Sequence, residues 1–229
     1  MKLKKDSVKM LLAVNLLALA IVLDAVTSAI PGLNLSMPFG GKFFGISMLP
    51  LVMIGLFTGL KFGLLSCLLY GIYNFGIDYL VYIDALRATL ESWTGDSWTF
   101  GMIVMLVLFD YIIPFTAFGL SGLFSDGFNR LSKMIVAILT VSLVRLISST
   151  IAGVLLWSSS IEYAVAEYES GNGTSNLAIR IFSSVGSNLW LYSLSYNFIY
   201  IFTTTLIVTV ISVISFRRLR DLSAQFLYN

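Results

Sequence analysis

Two ionisable side chains lie inside long apolar stretches of the sequence, Asp110 in VLFDYIIPF and Arg145 in VSLVRLISST. Ionisable groups at membrane depth are costly, and by default they mark a functional site. A carboxylate can bind an amine, an amidine-like donor or a cationic ring, whereas a guanidinium suits an oxygen of hydroxyl, carboxylate or phosphate type. The two residues predict a pocket that carries both charges. The alternative is a structural ion pair between them.

An aromatic and amide set accompanies these charges: Tyr111, Trp157, Trp190, Tyr192, Tyr196, Asn197 and Tyr200. The tyrosines at 192, 196 and 200 are four residues apart and share one face of a helix. Asn197 lies about two helical turns inside an apolar stretch, where its amide requires a buried partner. We therefore expect the helix around 192–200 to present a polar face to the same pocket.

Other polar and aromatic residues have simpler interpretations. Tryptophans near the ends of spans are more often interfacial than ligand contacts, and we expect this of Trp190, Trp93 and Trp98. Asp24 and Asp78 lie nearer the outer ends of their apolar stretches, where water is available. We interpret both aspartates as structural.

Composition identifies the kind of protein that must position these residues. Of 229 residues, 58% are hydrophobic and 11% are charged, and the mean hydropathy is +0.91. Soluble domains carry about 25% charged residues, so the sequence predicts an integral membrane protein. The 14 basic and 12 acidic residues nearly cancel, which gives no indication of a nucleic-acid partner.

Several classes of chemistry are absent from the sequence. There is no histidine, which excludes histidine-based catalysis, histidine metal sites and haem ligation. The lone Cys67 excludes an intrachain disulfide and CxxC metal sites. No GxxxxGK[ST] motif occurs, so the chain carries no P-loop ATPase site of its own. We expect no catalytic residues, no metal site and no cofactor.

The apolar stretches predict an all-α membrane domain with six spans. About 20 apolar residues cross a bilayer core, and the stretches lie at 8–30, 43–58, 62–83, 101–124, 132–157 and 189–215. The second contains Pro50, which predicts a kink or a join to a partly inserted segment. The long outer connection 158–188 predicts a surface helix around 161–168. No internal repeat is visible, so residues 1–229 are interpreted as one domain.

Basic residues indicate the orientation, because cytoplasmic loops are enriched in Lys and Arg. Ten lie on one predicted face: Lys2, Lys4, Lys5, Lys9, Lys61, Arg130, Lys133, Arg217, Arg218 and Arg220. The opposite face has only Lys42, Arg87 and Arg180, so both termini are predicted to be cytoplasmic. At 1.5 Å per residue, Asp110 then lies about 14 Å and Arg145 about 18 Å from the outer ends of their spans. The two charges thus reach similar depths.

Four regions of the sequence resemble those of a known transporter family. They are PFGGKFFGISMLP with TGLKFGLLSCLLYG at 38–50 and 58–71, DYIIPFTAFGLSGLF at 110–124, RLISSTIAGVLLW at 145–157 and YSLSYN at 192–197. In this order and spacing, the chain resembles the thiamine-specific substrate-binding component of energy-coupling factor (ECF) transporters over nearly its whole length.

The resemblance implies a binding site for a flat, cationic vitamin. By position, the family's ligand-binding residues correspond to Asp110, Tyr111, Arg145, Trp157, Tyr192 and Asn197. Aromatic rings would stack on the pyrimidine and thiazolium rings. The carboxylate of Asp110 would offset the thiazolium charge or accept a hydrogen bond from the aminopyrimidine. The amide of Asn197 would form hydrogen bonds with the edge of a ring.

The sequence departs from the family pattern at the other end of the pocket. Asp110 replaces the usual Glu, and Arg145 replaces the usual Lys. Leu146 and Ser149 stand where Tyr and His often hold the hydroxyethyl group, and a lid tryptophan of some members falls near Gly41. Thiamine is the first expectation. A thiamine precursor, a thiamine phosphate bound by Arg145, or another flat heterocycle remains an alternative.

The resemblance also implies partners and a place of action. It predicts high-affinity capture in a bacterial plasma membrane, with a coupling transmembrane protein and two cytoplasmic ATPases supplying the energy. The Gly- and Pro-containing segment 31–44, hereafter the lid loop, would close the pocket, and small residues such as Ala13, Ala18 and Ala20 would form a docking face. A stand-alone secondary transporter and a membrane hydrolase are the alternatives from other classes.

Overall fold

Helices account for most of the residues that the structure describes. The computed structural model describes residues 5–77, 83–95 and 97–227, which confirms the all-α prediction for these residues. In chain order they form α1 Lys5–Ala29, α2 Met48–Thr58, α3 Leu60–Phe75, α4 Ile83–Thr94, α5 Phe100–Phe124, α6 Leu131–Leu155, α7 Ser158–Glu169, α8 Leu177–Ser184 and α9 Leu189–Leu227.

Four of these helices are long and apolar enough to cross a membrane: α1, α5, α6 and α9. The other two predicted spans form shorter apolar helices. At 1.5 Å per residue, α2 is about 16 Å long and α3 about 24 Å, against a bilayer core of about 30 Å. The two are joined at Gly59, whose φ of 88° lies in the left-handed region that favours glycine. The count of six spans stays a prediction.

The short helix α2 lies at the centre of the fold. Every residue from Pro50 to Thr58 is buried, and α2 packs against α1, α3, α5, α6 and α9. A helix that is hydrophobic all round is stable only when other elements enclose it. The core therefore surrounds α2, with side chains such as Phe118, Met134 and Val208 contributed by its neighbours.

Two predicted boundaries differ from the observed ones. The second span was predicted from residue 43, but α2 begins at Met48, and residues 43–47 belong to the loop. Pro50 consequently lies in the first turn, where a missing N–H costs nothing, so the predicted kink is wrong. The last helix continues from 215 to Leu227, because Phe216 and Leu219 still pack against the core.

The outer connections contain more helix than predicted. The surface helix expected around 161–168 is present as α7. Helices α4 and α8 were not predicted, and α4 packs against α7, while α8 packs between α7 and α9. These short helices cover one end of the bundle, and the predicted end of the third span, residues 78–82, lies outside the described residues.

The small residues of α1 face inward. Ala13 and Ala20 are buried in the core cluster around α2, whereas Ala18 is exposed. Small side chains allow two helix backbones to approach closely, and here they serve the contact of α1 with its own bundle. The prediction that Ala13 and Ala20 form a docking face for a partner is therefore wrong.

Proline changes the geometry of α5 next to Asp110. Pro114 has no N–H to donate to the carbonyl four residues earlier, so the regular hydrogen-bonding pattern cannot continue through this position. Residues Val107–Ile112 adopt a π-helical turn, in which the N–H of Ile113 donates to the carbonyl of Leu108, five residues back. Such turns are frequent at functional sites. This one contains both Asp110 and Tyr111.

Glycines allow α5 to pack directly on the backbone of α3. A Cβ atom on Gly63 would lie 2.9 Å from the carbonyl oxygen of Gly119, and a Cβ on Gly119 would collide with the backbone of Gly63 and Leu64. Beside this contact, the hydroxyl of Ser121 donates to the carbonyl of Val52 at 2.7 Å. The close approach holds α5 against α2 and α3.

Replacement of Gly119 by alanine tests this contact. We expect Gly119→Ala to destabilise the fold by about 1–3 kcal/mol, because the added methyl overpacks a backbone that cannot move away. Thermal unfolding of the purified protein in detergent measures the effect as a lower midpoint. The matched control is Gly101→Ala in the same helix, where a Cβ meets only Thr99 Oγ1 at 3.7 Å. Equal midpoints for the two variants would contradict the packing argument.

Candidate functional site

A cavity of about 630 Å³ opens between the lid loop and helices α1, α2, α3, α5, α6 and α9. Its volume lies in the range usual for small-molecule sites. The cavity begins where α2 begins, because Met48 and Leu51 form part of its wall. All seven predicted site residues line it: Asp110, Tyr111, Arg145, Ser149, Trp157, Tyr192 and Asn197. The sequence thus identified residues that the fold brings together.

Asp110 and Trp157 form a hydrogen-bonded pair on the cavity wall. The indole Nε1–H of Trp157 donates to Asp110 Oδ2 at 2.7 Å. Asp110 belongs to the π turn of α5, and Trp157 directly precedes α7. The bond fixes the indole ring beside the carboxylate, and Trp157 is the one described side chain that donates to it. A ligand can therefore meet an aromatic face and a negative charge at the same place.

The other tryptophans divide between the interior and the surface. Trp98 packs against Trp157 with 6.4 Å between ring centroids, and it is only 4% exposed. The prediction of an interfacial Trp98 is wrong, because this ring supports the cavity wall from behind. Trp190 is 56% exposed, as expected of an interfacial residue. The side chain of Trp93 lies outside the described residues.

Arg145 lies on the wall of the same cavity, and no carboxylate of the described residues pairs with it. It is 7% exposed. Its Nη1–H donates to the thioether sulfur of Met48 at 2.8 Å, and its Cζ lies 4.8 Å from the ring centroid of Phe118. No hydrogen-bond acceptor among the described residues reaches its Nε.

The alternative of an intramembrane ion pair is not observed. Within residues 5–77, 83–95 and 97–227, ion pairs join Lys42 to Asp24, Arg87 to Glu91, Lys133 to Asp126 and Arg220 to Asp221. None of them contains Asp110 or Arg145. The two charges contribute separately to one cavity.

Asn197 holds α9 against α6 beneath the cavity. Its Nδ2 donates to the carbonyls of Ser193 at 2.8 Å and Ser149 at 3.2 Å, and its Oδ1 accepts from the hydroxyl of Tyr200 at 2.7 Å. The expectation of buried partners for this amide is confirmed. Its donors are used inside the protein, so Asn197 offers a ligand only its carbonyl oxygen and positions Tyr200.

The lid loop covers the cavity and is attached to α9. The N–H of Phe39 donates to the hydroxyl of Tyr196 at 2.7 Å, and that hydroxyl donates to the carbonyl of Gly40 at 3.2 Å. Gly41, with φ of 93°, lies flat on the ring of Tyr200: a Cβ there would be 2.7 Å from Cδ1. Glycine is required at this position both by the backbone angle and by the ring.

The opposite side of the lid loop is attached to α1. Lys42 Nζ lies 3.0 Å from Asp24 Oδ1 and 2.8 Å from Ser28 Oγ. Asp24 was interpreted as structural, and its ion pair with Lys42 attaches the lid loop to α1. Asp24 also lines the cavity. Asp78, interpreted in the same way, lies outside the described residues.

Sequence reasoning missed two polar residues of α3. Tyr70 and Asn74 line the cavity one helical turn apart, and Asn74 Nδ2 donates to the carbonyl of Tyr70 at 3.0 Å. A tyrosine and an amide at i and i+4 on an apolar helix are a detectable signal. Tyr196 and Tyr200 belonged to the predicted aromatic set, and both line the cavity too.

The donor set suits binding of an organic molecule more than metal binding. No group of three or more His, Cys, Asp or Glu side chains that could hold a metal ion occurs among the described residues. The cavity instead combines aromatic rings, hydroxyls and amides with the carboxylates of Asp24 and Asp110, the ammonium of Lys42 and the guanidinium of Arg145. Such a site can bind a flat ring by stacking and hydrogen bonding.

Comparison with known proteins agrees with this geometry. The family model described as Thiamine transporter protein (Thia_YuaJ) matches residues 11–166, well over half of the chain. The chain is also similar to the thiamine transporter ThiT of Bacillus subtilis (strain 168). The two are 28% identical over 207 residues, which cover 90% of this chain and 89% of that protein. No solved structure shows significant similarity.

This is a family of transporters and not of enzymes, and the long apolar helices agree with a multi-pass protein of the bacterial cell membrane. The match runs from α1 into α7 and includes Asp110, Tyr111, Arg145, Ser149 and Trp157. On the family match and the cavity together, the chain belongs to the thiamine transporter protein family.

Proposed function

We propose that the chain binds thiamine in the cavity beneath the lid loop and captures the vitamin for uptake. The observation that carries the proposal is the carboxylate of Asp110 beside the indole of Trp157, on the wall of a cavity of sufficient size. Thiamine offers a thiazolium cation, an aminopyrimidine donor and two flat rings. Asp110 can bind the thiazolium cation or the amino group, and the indole of Trp157 can stack on a flat ring.

Aromatic contacts are proposed to contribute to the affinity. A cation over an aromatic face gains about 2 kcal/mol when both are removed from water. Trp157, Tyr111 and Tyr192 lie on different helices or loops around the cavity, so a ring can be enclosed from more than one side. Ser149 and the carbonyl oxygen of Asn197 are placed to contact the polar edges of the ligand.

The proposed topology has six spans with both termini cytoplasmic. The distribution of Lys and Arg supports it. By length alone, α2 and α3 are shorter than the bilayer core. However, α2 is enclosed by the other helices of the bundle, and the lid loop comes before it in the chain. The lid loop and the cavity mouth then face outward, where the vitamin is encountered.

Transport is proposed to depend on a coupling transmembrane protein and two cytoplasmic ATPases of an ECF module. The sequence contains no P-loop motif, so ATP must be hydrolysed by other chains. With Ala13 and Ala20 buried, the surface of α1 that is free for docking consists of apolar residues such as Leu11, Val14 and Val22.

Removal of the charge at Asp110 tests the site. We expect Asp110→Asn to weaken thiamine binding at least about 30-fold, because truncating one partner of a desolvated charge pair costs about 2–5 kcal/mol. Equilibrium titration of the purified protein measures it. Asp126→Asn is the matched control, since Asp126 is an exposed carboxylate outside the cavity that pairs with Lys133. Unchanged affinity in Asp110→Asn would contradict the proposal that thiamine binds beside Asp110.

Tryptophan fluorescence tests the position of the ligand. We expect thiamine to quench the intrinsic fluorescence saturably, because a ring stacked near Trp157 changes its surroundings. The response should be largely lost in Trp157→Phe and retained in Trp190→Phe, because the Trp190 indole is exposed and does not line the cavity. Equal quenching in the two variants would show that the ligand binds elsewhere.

Reconstitution tests the source of energy. We expect no thiamine uptake into proteoliposomes that contain this chain alone, and ATP-dependent uptake when the coupling protein and both ATPases are added. The physical reason is that the chain has no nucleotide site of its own. Uptake by the chain alone under an ion gradient would instead identify a stand-alone secondary transporter.

A further inference from the structure

The guanidinium of Arg145 is a buried cation that has no counter-charge among the described residues. Arginine remains protonated in proteins, and burial of a charge is costly unless it is paired and hydrogen-bonded. Arg145 is 7% exposed, and no described carboxylate forms an ion pair with it. Its Nε has no acceptor, and its Nη1 donates to the sulfur of Met48, which is a weak acceptor.

The charges around the cavity leave one cation unmatched when thiamine binds. Asp24 and Lys42 neutralise each other across the cavity mouth at 3.0 Å. Among the described residues, the other charged side chains of the lining are Asp110 and Arg145. The thiazolium of thiamine matches Asp110 and leaves Arg145 uncompensated. A ligand that carries a cation at one end and an anion at the other matches both.

We propose, on the basis of thiamine binding in this cavity, that Arg145 forms an anion subsite and that the chain binds thiamine monophosphate more tightly than thiamine. The planar guanidinium presents parallel N–H donors that match two oxygens of a phosphate group. The neutral hydroxyl of thiamine can accept from only part of the guanidinium's donors, and it brings no negative charge. The thioether of Met48 is flexible and can give up its contact.

Neighbouring groups support an oxygen-rich ligand at this position. Ser149 lies one helical turn after Arg145 on α6, and Tyr70 and Tyr200 also line the cavity. The hydroxyl of Tyr200 is held by Asn197. These hydroxyls can share the remaining phosphate oxygens with Arg145. The cavity volume of about 630 Å³ accommodates the additional group.

The test compares four titrants on the purified wild-type protein, with Trp157 fluorescence as the readout. They are thiamine, thiamine monophosphate, the acetyl ester of thiamine and inorganic phosphate. We expect thiamine monophosphate to bind at least about tenfold more tightly than thiamine, because charge-assisted hydrogen bonds to a buried cation are strong. The acetyl ester keeps the thiazolium and adds bulk at the same oxygen without a negative charge, so it should show no gain.

Two variants separate the charge of Arg145 from its volume. In Arg145→Gln, the ratio of the monophosphate affinity to the thiamine affinity should fall to about one, whatever the absolute affinity of either compound becomes. Arg145→Lys retains the charge without the fork and should keep part of the preference. If Arg145→Gln does not fold, the wild-type comparison of monophosphate with acetyl ester decides the question by itself.

The outcomes distinguish this proposal from thiamine binding. If thiamine binds and the phosphate adds nothing, or if Arg145→Gln keeps the preference, the anion subsite is overturned and thiamine binding stands. If neither compound binds, both proposals fall. If inorganic phosphate raises the affinity for thiamine and removes the advantage of the monophosphate, the site takes the free anion, and the preference for the ester is overturned.

Discussion

The short central helix is the constraint on which the rest of the structure depends. Because α2 begins only at Met48 and is enclosed on all sides, the space above its first turn is not filled by helix. Helices α3, α5, α6 and α9 extend past that end and become the walls of the cavity. The chain that would have continued α2 instead folds over the opening as the lid loop.

Close backbone contacts allow this enclosure. Gly63 and Gly119 let α5 lie directly on α3, and α6 approaches α9 at Gly153, where an added Cβ would meet Ser193 Oγ. Tight pairs of helices leave little freedom for the side chains between them. Asp110, Arg145 and Asn197 are therefore presented from rigid elements, which is the condition for selective binding of a small ligand.

The polar groups of the cavity differ in how far the protein itself satisfies them. Asn197 and Tyr196 are bonded within the protein, and they hold helices and the lid loop in place. Within the part of the chain that the structure describes, Asp110 accepts a hydrogen bond from one side chain, the indole of Trp157, and the one hydrogen-bond partner of the Arg145 guanidinium is the thioether of Met48. Unpaired charge costs stability in a membrane protein. The two groups least satisfied by the fold are those with most to gain from a ligand.

The sequence by itself determined the class of protein and most of the polar residues of the site. Apolar composition, the positions of Asp110 and Arg145, and the spacing of Tyr192 and Asn197 are local properties, so they could be interpreted without a structure. Only the tertiary structure decided that Asp110 pairs with Trp157, that Arg145 has no counter-charge among the described residues and that Tyr70 joins the cavity. It also placed Trp98 behind the wall and set the first residue of α2 at Met48. The reason is that these features depend on contacts between residues far apart in the chain, with a separation of 47 for Asp110 and Trp157 and of 97 for Met48 and Arg145. The hydropathy of a stretch indicates that it is buried, but it does not identify the neighbour against which it packs.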